Sequence, residues 1–211
     1  MQIISHRGYW KIEKEKNTNV AFERSFSLNF GTETDLRDYT GNLVISHDIA
    51  NRNCIIADEF FSIYKQYTQS LTLALNIKAD GLQDELFKLL ELYNIHNYFV
   101  FDMAIPDTIG YIKKGIRFYS RQSEYELHPA FYDECSGVWL DAFHNTWYSN
   151  KLIEEHLDKN KHVAIVSPEL HKRDHLDLWN QLKKNSLHHA DDVLLCTDIP
   201  EEAQVFFNDV K

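Results

Sequence analysis

Short β-branched and aromatic runs alternate with helical stretches from one end of the chain to the other, and this alternation constrains the fold most. The expected strands cover residues 2–5, 32–37, 71–78, 98–103, 116–120, 137–141, 162–166 and 192–196. Asn17 or Thr18 is the expected N-cap of a first helix that runs through Phe30, with Val20, Phe22, Phe26 and Phe30 as its inward stripe and Gly31 as its stop. A loop and short helix fill residues 49–67, and the helix over 82–93 carries Leu82, Leu86, Leu89, Leu90 and Tyr93 on one side. Pro106 opens a helix that ends near Gly115, and a shorter, less regular helical piece is expected over 124–134. Ser149 or Asn150 caps a helix over 151–158, another covers 173–184, and Pro200 begins the last.

Eight strands, each followed by helical sequence, imply an α/β chain closed as a (β/α)8 TIM barrel, a single domain over residues 1–211. The rival, an open doubly wound sheet, requires a Gly-rich phosphate turn after the first strand. Ser5-His6-Arg7-Gly8-Tyr9 is not such a turn. At 44% hydrophobic residues the chain has apolar material for one buried core. No apolar run approaches the roughly 20 residues of a membrane span, and the start shows no basic segment followed by an apolar one, so no span and no signal peptide are expected. Cys54, Cys135 and Cys196 are odd in number and widely spaced, which suits reduced thiols in a cytoplasmic protein. The formal net charge of −10 counts against nucleic acid as a routine partner, though not against a small anion in a locally cationic pocket. Oligomeric state leaves no mark in the sequence.

Ionisable residues collect where the first strands end. Glu33 and Asp35 lie two apart on one strand, so their carboxylates share a face. Two adjacent carboxylates repel unless a cation or a proton lies between them, and oxygen ligands of this kind suit Mg²⁺ or Ca²⁺. His6 and His47 each close an apolar run and supply two groups that exchange protons near neutral pH. Arg7 adds a fixed planar cation suited to phosphate and to pairing with the acids, two roles that are compatible. Lys78, at the end of Leu73-Ala74-Leu75-Asn76-Ile77, is a phosphate contact or a buried counter-ion. Together these groups describe a phosphoester site.

The same residues carry a family likeness. His6-Arg7-Gly8, Asn17-Thr18 with Ala21-Phe22, Glu33-x-Asp35 and His47-Asp48 resemble, in order and spacing, the N-terminal signature of the glycerophosphodiester phosphodiesterases. Leu75-Asn76-Ile77-Lys78 resembles the family's Glu-x-Lys strand, and Thr197-Asp198-Ile199-Pro200 its closing Thr-Asp-x-Pro strand end. The resemblance implies a metal-dependent hydrolase that converts a small glycerophosphodiester to sn-glycerol 3-phosphate and an alcohol. It further implies His6 and His47 as the acid/base pair, and Glu33, Asp35 and the residue at position 76 as metal ligands. Two departures stand out. Asn76 replaces the usual third carboxylate, offering a neutral oxygen, and Lys16 replaces a glutamate before the Asn-Thr pair. Asp141 and Glu169, at later strand ends, are candidates to compensate as substrate-binding groups, against a plainer role as caps or loop acceptors. The rival readings are a barrel that binds a phosphodiester without cleaving it, and a lyase that stops at a cyclic phosphate.

Overall fold

The computed structural model describes residues 1–67 and 70–208, and its chain divides into two compact units. Among the described residues the strands are, in order, β1 (Gln2–His6), β2 (Gly31–Tyr39), β3 (Asn42–Ile45), β4 (Ile55–Ile56), β5 (Leu73–Ile77), β6 (Tyr98–Phe101), β7 (Tyr119–Gln122), β8 (Gly137–Leu140), β9 (His162–Val166) and β10 (Val193–Thr197). The α-helices are α1 (Asn19–Ser27), α2 (Ala57–Tyr64), α3 (Gln83–Leu92), α4 (Ile105–Lys114), α5 (Asn150–Leu157), α6 (Leu176–Lys184) and α7 (Pro200–Phe207). The result is an α/β chain with a mostly parallel sheet, and no described helix is long and apolar enough to cross a membrane.

One unit spans residues 5–118. Here β2 pairs in parallel with β5, and β5 with β6, while β3 folds back antiparallel on β2 through the Thr40-Gly41 turn. The β2–β5 register sets Asp35 opposite Asn76 and Glu33 opposite Ala74, so the polar side chains near the strand ends share a face. Behind the sheet, α1 and α2 meet through an aromatic core. Phe22 and Phe60 meet edge-on at 4.7 Å between ring centroids, and Phe26 and Tyr64 at 5.3 Å. Such edge-to-face pairs add packing enthalpy to the burial of large apolar surface. The Tyr64 hydroxyl donates to the Leu71 carbonyl at 2.7 Å, so this buried polar group is satisfied.

The other unit comprises residues 1–4 and 119–211. Strands β7, β8, β9 and β10 run parallel in sequence order. Their core joins Val138, Leu140, Ile165 and Leu195 of the strands to Ile153 of α5 and Trp179 of α6. Trp179 is fully buried and its indole N–H donates to Ser167 Oγ at 2.9 Å.

Several sequence expectations need correction. The first helix ends at Ser27 with Leu28 as its C-cap, Asn29 follows in the left-handed region at φ 61°, and Gly31 instead opens β2. Val20 is exposed because it lies about 200° round the helix from Phe22, leaving Phe22 and Phe26 as the inward stripe. Phe30 is buried beyond the helix end, edge-on to Tyr9 at 6.1 Å. No helix forms over 124–134. Ser123 and Glu126 close a tight turn, and Ser120 Oγ and Gln122 Nε2 donate to the carbonyls of Ala130 and Leu127, groups a helix would use internally. The helix expected from 173 begins at Leu176, after a 3₁₀ turn over Pro168–His171, and the two-residue β4 has no sequence signal strong enough to show.

Candidate active site

The ends of β1, β3 and β5 and the middle of β2, in the unit over residues 5–118, carry the candidate groups. After His6 the backbone turns through Arg7 at φ 58° and Gly8 at φ 77°, both left-handed. Only glycine fits at position 8, since a Cβ there would meet Ala21 Cβ at 2.8 Å and its carbonyl carbon at 2.9 Å. The turn is held at Arg7, whose backbone N–H donates to Glu33 Oε2 at 3.1 Å and whose carbonyl accepts from Asn17 N–H at 2.9 Å.

Asp35 lies at the centre of the charges. Arg7 Nε lies 3.1 Å from its Oδ2 and Lys78 Nζ 3.4 Å from its Oδ1. Asn17 Nδ2 donates to Oδ2 at 2.8 Å, while Asn17 Oδ1 accepts from Thr34 Oγ1 at 2.8 Å. Glu33 is buried beside it, with His6 Nε2 at 4.0 Å from Oε2. Burial first, and then the Asp35 charge, push the Glu33 carboxyl up to about 7, against smaller opposing pulls from His6, Arg7 and Lys78. Near neutral pH this carboxyl therefore keeps a proton for much of the time unless another cation takes its place.

His47 follows β3. The Ser46 N–H donates to the Asp35 carbonyl at 2.9 Å, which ties this segment to the middle of β2. The His47 ring is 43% exposed, and its Nδ1 lies 2.9 Å from Asp48 Oδ1. That hydrogen bond and the imidazole charge hold the Asp48 carboxyl below its ordinary value.

A divalent cation fits this donor set in chemistry. Asp35 Oδ1 and Asn76 Oδ1 are both buried without a hydrogen-bond partner, on side chains that the β2–β5 register sets opposite each other. Glu33 has the raised proton affinity of a carboxylate short of positive charge. Among the described residues, however, no group of three or more His, Cys, Asp and Glu side chains is placed to hold a metal, and Asn76, level with Asp35, offers an amide oxygen rather than a carboxylate. Lys16 lies over the Trp10 ring at 4.3 Å and near Glu13 at 3.7 Å.

Asp141 and Glu169 belong to the other unit. Glu169 accepts from Thr197 Oγ1 and Ser167 Oγ, both at 2.5 Å, and from the Asp198 N–H at 3.1 Å, so it ties the ends of β9 and β10. Asp141 Oδ1 accepts from the Ala142 N–H and lies on His171 Nε2, each at 2.7 Å. Neither Asn17, beyond its place in a motif, nor His171 stood out in the sequence. A lone polar residue in a loop looks the same whether it points to solvent or to a buried carboxylate.

No family model matches the sequence, and no curated protein matches it. Among solved structures, a provisionally assigned glycerophosphodiester phosphodiesterase from Galdieria sulphuraria superposes with a TM-score of 0.75 at 19% identity, over 99% of this chain and 98% of its own. The glycerophosphodiester phosphodiesterase from Agrobacterium tumefaciens gives 0.72 at 12% identity, over 97% and 99% of the two chains. A phosphodiesterase from Oleispira antarctica, solved with its product sn-glycerol-3-phosphate, gives 0.71 at 16% identity, over 99% and 97%. Across nearly its whole length, the chain has the fold of the glycerophosphodiester phosphodiesterases.

Proposed function

We propose that the protein is a metal-dependent phosphodiesterase that hydrolyses a small glycerophosphodiester to sn-glycerol 3-phosphate and an alcohol. The observation that carries this reading is Asp35, buried between Arg7 and Lys78 and level with Asn76, with Glu33 and His6 beside it. The full-length likeness to solved phosphodiesterases supports the same reading, and with it a single (β/α)8 barrel domain over residues 1–211.

In this reading Glu33, Asp35 and Asn76 hold Mg²⁺ or Ca²⁺, and the bound ion supplies Lewis-acid polarisation of a phosphoryl oxygen. Arg7 and Lys78 bind the phosphoryl oxygens and neutralise the charge that builds there as water attacks phosphorus. Their ion pairs with Asp35 keep both cations poised before substrate arrives. Asp48 beside His47 Nδ1 favours the tautomer with its lone pair on Nε2, which suits His47 as the base that takes the proton of the attacking water. His6 then protonates the alcohol oxygen as its bond to phosphorus breaks, so that one water is consumed. Asp141 and Glu169 enter as groups that hold their own loops, since their carboxylates are already engaged there. The three free cysteines suit a cytoplasmic site of action.

The test is release of glycerol 3-phosphate from glycerophosphocholine and glycerophosphoethanolamine in EDTA, Mg²⁺ or Ca²⁺, repeated on His47→Ala. Metal-dependent turnover should fall about 100-fold or more in the variant, the usual worth of a general base. Asn76 favours one second reading, a barrel that binds a phosphodiester without cleaving it. Tight binding by calorimetry with no product would select that reading. A cyclic phosphate seen by phosphorus NMR would select a lyase instead.

A further inference from the structure

We infer that Asn17 is a positioning residue that sets Asp35 and the Arg7 turn relative to each other. Three bonds converge on it. Its side-chain amide donates to Asp35 Oδ2 at 2.8 Å, its side-chain carbonyl accepts from Thr34 Oγ1 at 2.8 Å, and its backbone N–H donates to the Arg7 carbonyl at 2.9 Å. The Asp35 carboxylate only accepts, so the amide turns Nδ2 toward it, and the Thr34 hydroxyl donates to the Oδ1 that is left and holds the amide in that orientation. Asn17 lies in the left-handed region at φ 57°, a conformation that asparagine tolerates better than most residues. Thr18, not Asn17, occupies the N-cap backbone position of α1, so the asparagine is not spent on capping. Asp35 Oδ2 is thereby held by a neutral donor beside the Arg7 Nε at 3.1 Å, while Oδ1 carries no hydrogen bond and faces Lys78 at 3.4 Å. Asn17 thus decides which carboxylate oxygen is turned toward the cation-binding face, and it does so without contributing charge.

The inference rests on the phosphodiesterase reading for its activity readout, and a binding readout separates the two. Asn17→Gly removes the amide while leaving a residue that adopts the same φ and keeps the backbone bond to Arg7. Thr34→Val removes the hydroxyl that orients the amide, and Thr34→Ser keeps it. We expect Asn17→Gly to lower kcat 10- to 100-fold with KM changed less than threefold, and to weaken Mn²⁺ binding in calorimetry about tenfold. Thr34→Val should lose a smaller part of both, and Thr34→Ser should recover what Thr34→Val loses. Wild-type kcat and Mn²⁺ affinity in Asn17→Gly would overturn the inference, as would losses that only follow a fall in thermal midpoint and are not recovered by Thr34→Ser. If the wild-type protein cleaves no diester, the functional reading falls and Mn²⁺ affinity decides alone. A tenfold loss in Asn17→Gly then supports the positioning role, and an unchanged affinity or no measurable binding in wild type refutes it.

Discussion

Glu33 makes the buried acid pair measurable as a pH-dependent stability. In the folded, metal-free protein its carboxyl is pushed from 4.5 to about 7, chiefly by burial and next by Asp35. The folded state therefore binds more protons than the unfolded chain between those values. Unfolding free energy then falls as pH rises, a contribution fully present below pH 4.5 and lost by about pH 7. At about 1.4 kcal/mol for each tenfold change in proton affinity, the rise amounts to about 3 kcal/mol. Glu33→Gln removes the ionisation and keeps an oxygen to accept the Arg7 N–H. Urea unfolding of both proteins in EDTA, at pH 4.5, 5.5, 6.5 and 7.5, gives the difference in stability at each pH. The wild-type protein should lose about 3 kcal/mol relative to Glu33→Gln across that range. A difference that stays flat with pH would refute the reasoning, since Glu33 would then titrate as it does in the unfolded chain. Adding Mg²⁺ or Ca²⁺ at pH 7.5 should restore stability to wild type and much less to the variant, because the ion binds the carboxylate form.

The turn at Gly8 and the aromatic core give two further expectations. Gly8→Ala should cost roughly 2 kcal/mol or more in urea unfolding, combining a left-handed φ with a Cβ pressed against Ala21. Phe60→Ala, which empties a fully buried position against Phe22, should cost about 3–5 kcal/mol and leave the ratio of kcat to KM within a fewfold range where the protein stays folded.

The strand-and-helix order was legible in the sequence because apolar periodicity is a local signal, and most helices and strands fall where that periodicity puts them. So was the gathering of Glu33, Asp35, His6 and Arg7, because residues at the ends of neighbouring strands are brought together by the sheet itself. The resemblance to the family's strand motif also marked Asn76 as the residue that departs from it. The tertiary structure decided what depends on partners distant in sequence. The region over 124–134 is not helical because Ser120 and Gln122 take up its carbonyls, and Glu124 in turn accepts the N–H groups of Phe143 and His144. By sequence Asp141 and Glu169 are strand-end acids open either to substrate or to a capping role; in the fold Glu169 accepts from Ser167, Thr197 and the Asp198 N–H, and Asp141 Oδ1 accepts from the Ala142 N–H. Asn17 is the same case in reverse: an N-cap candidate and motif member by sequence, it becomes the neutral strut of a buried carboxylate through bonds that span 17 and 18 residues of chain. Periodicity records which face of an element is apolar, whereas a hydrogen bond depends on where two side chains end, and only the folded chain sets that.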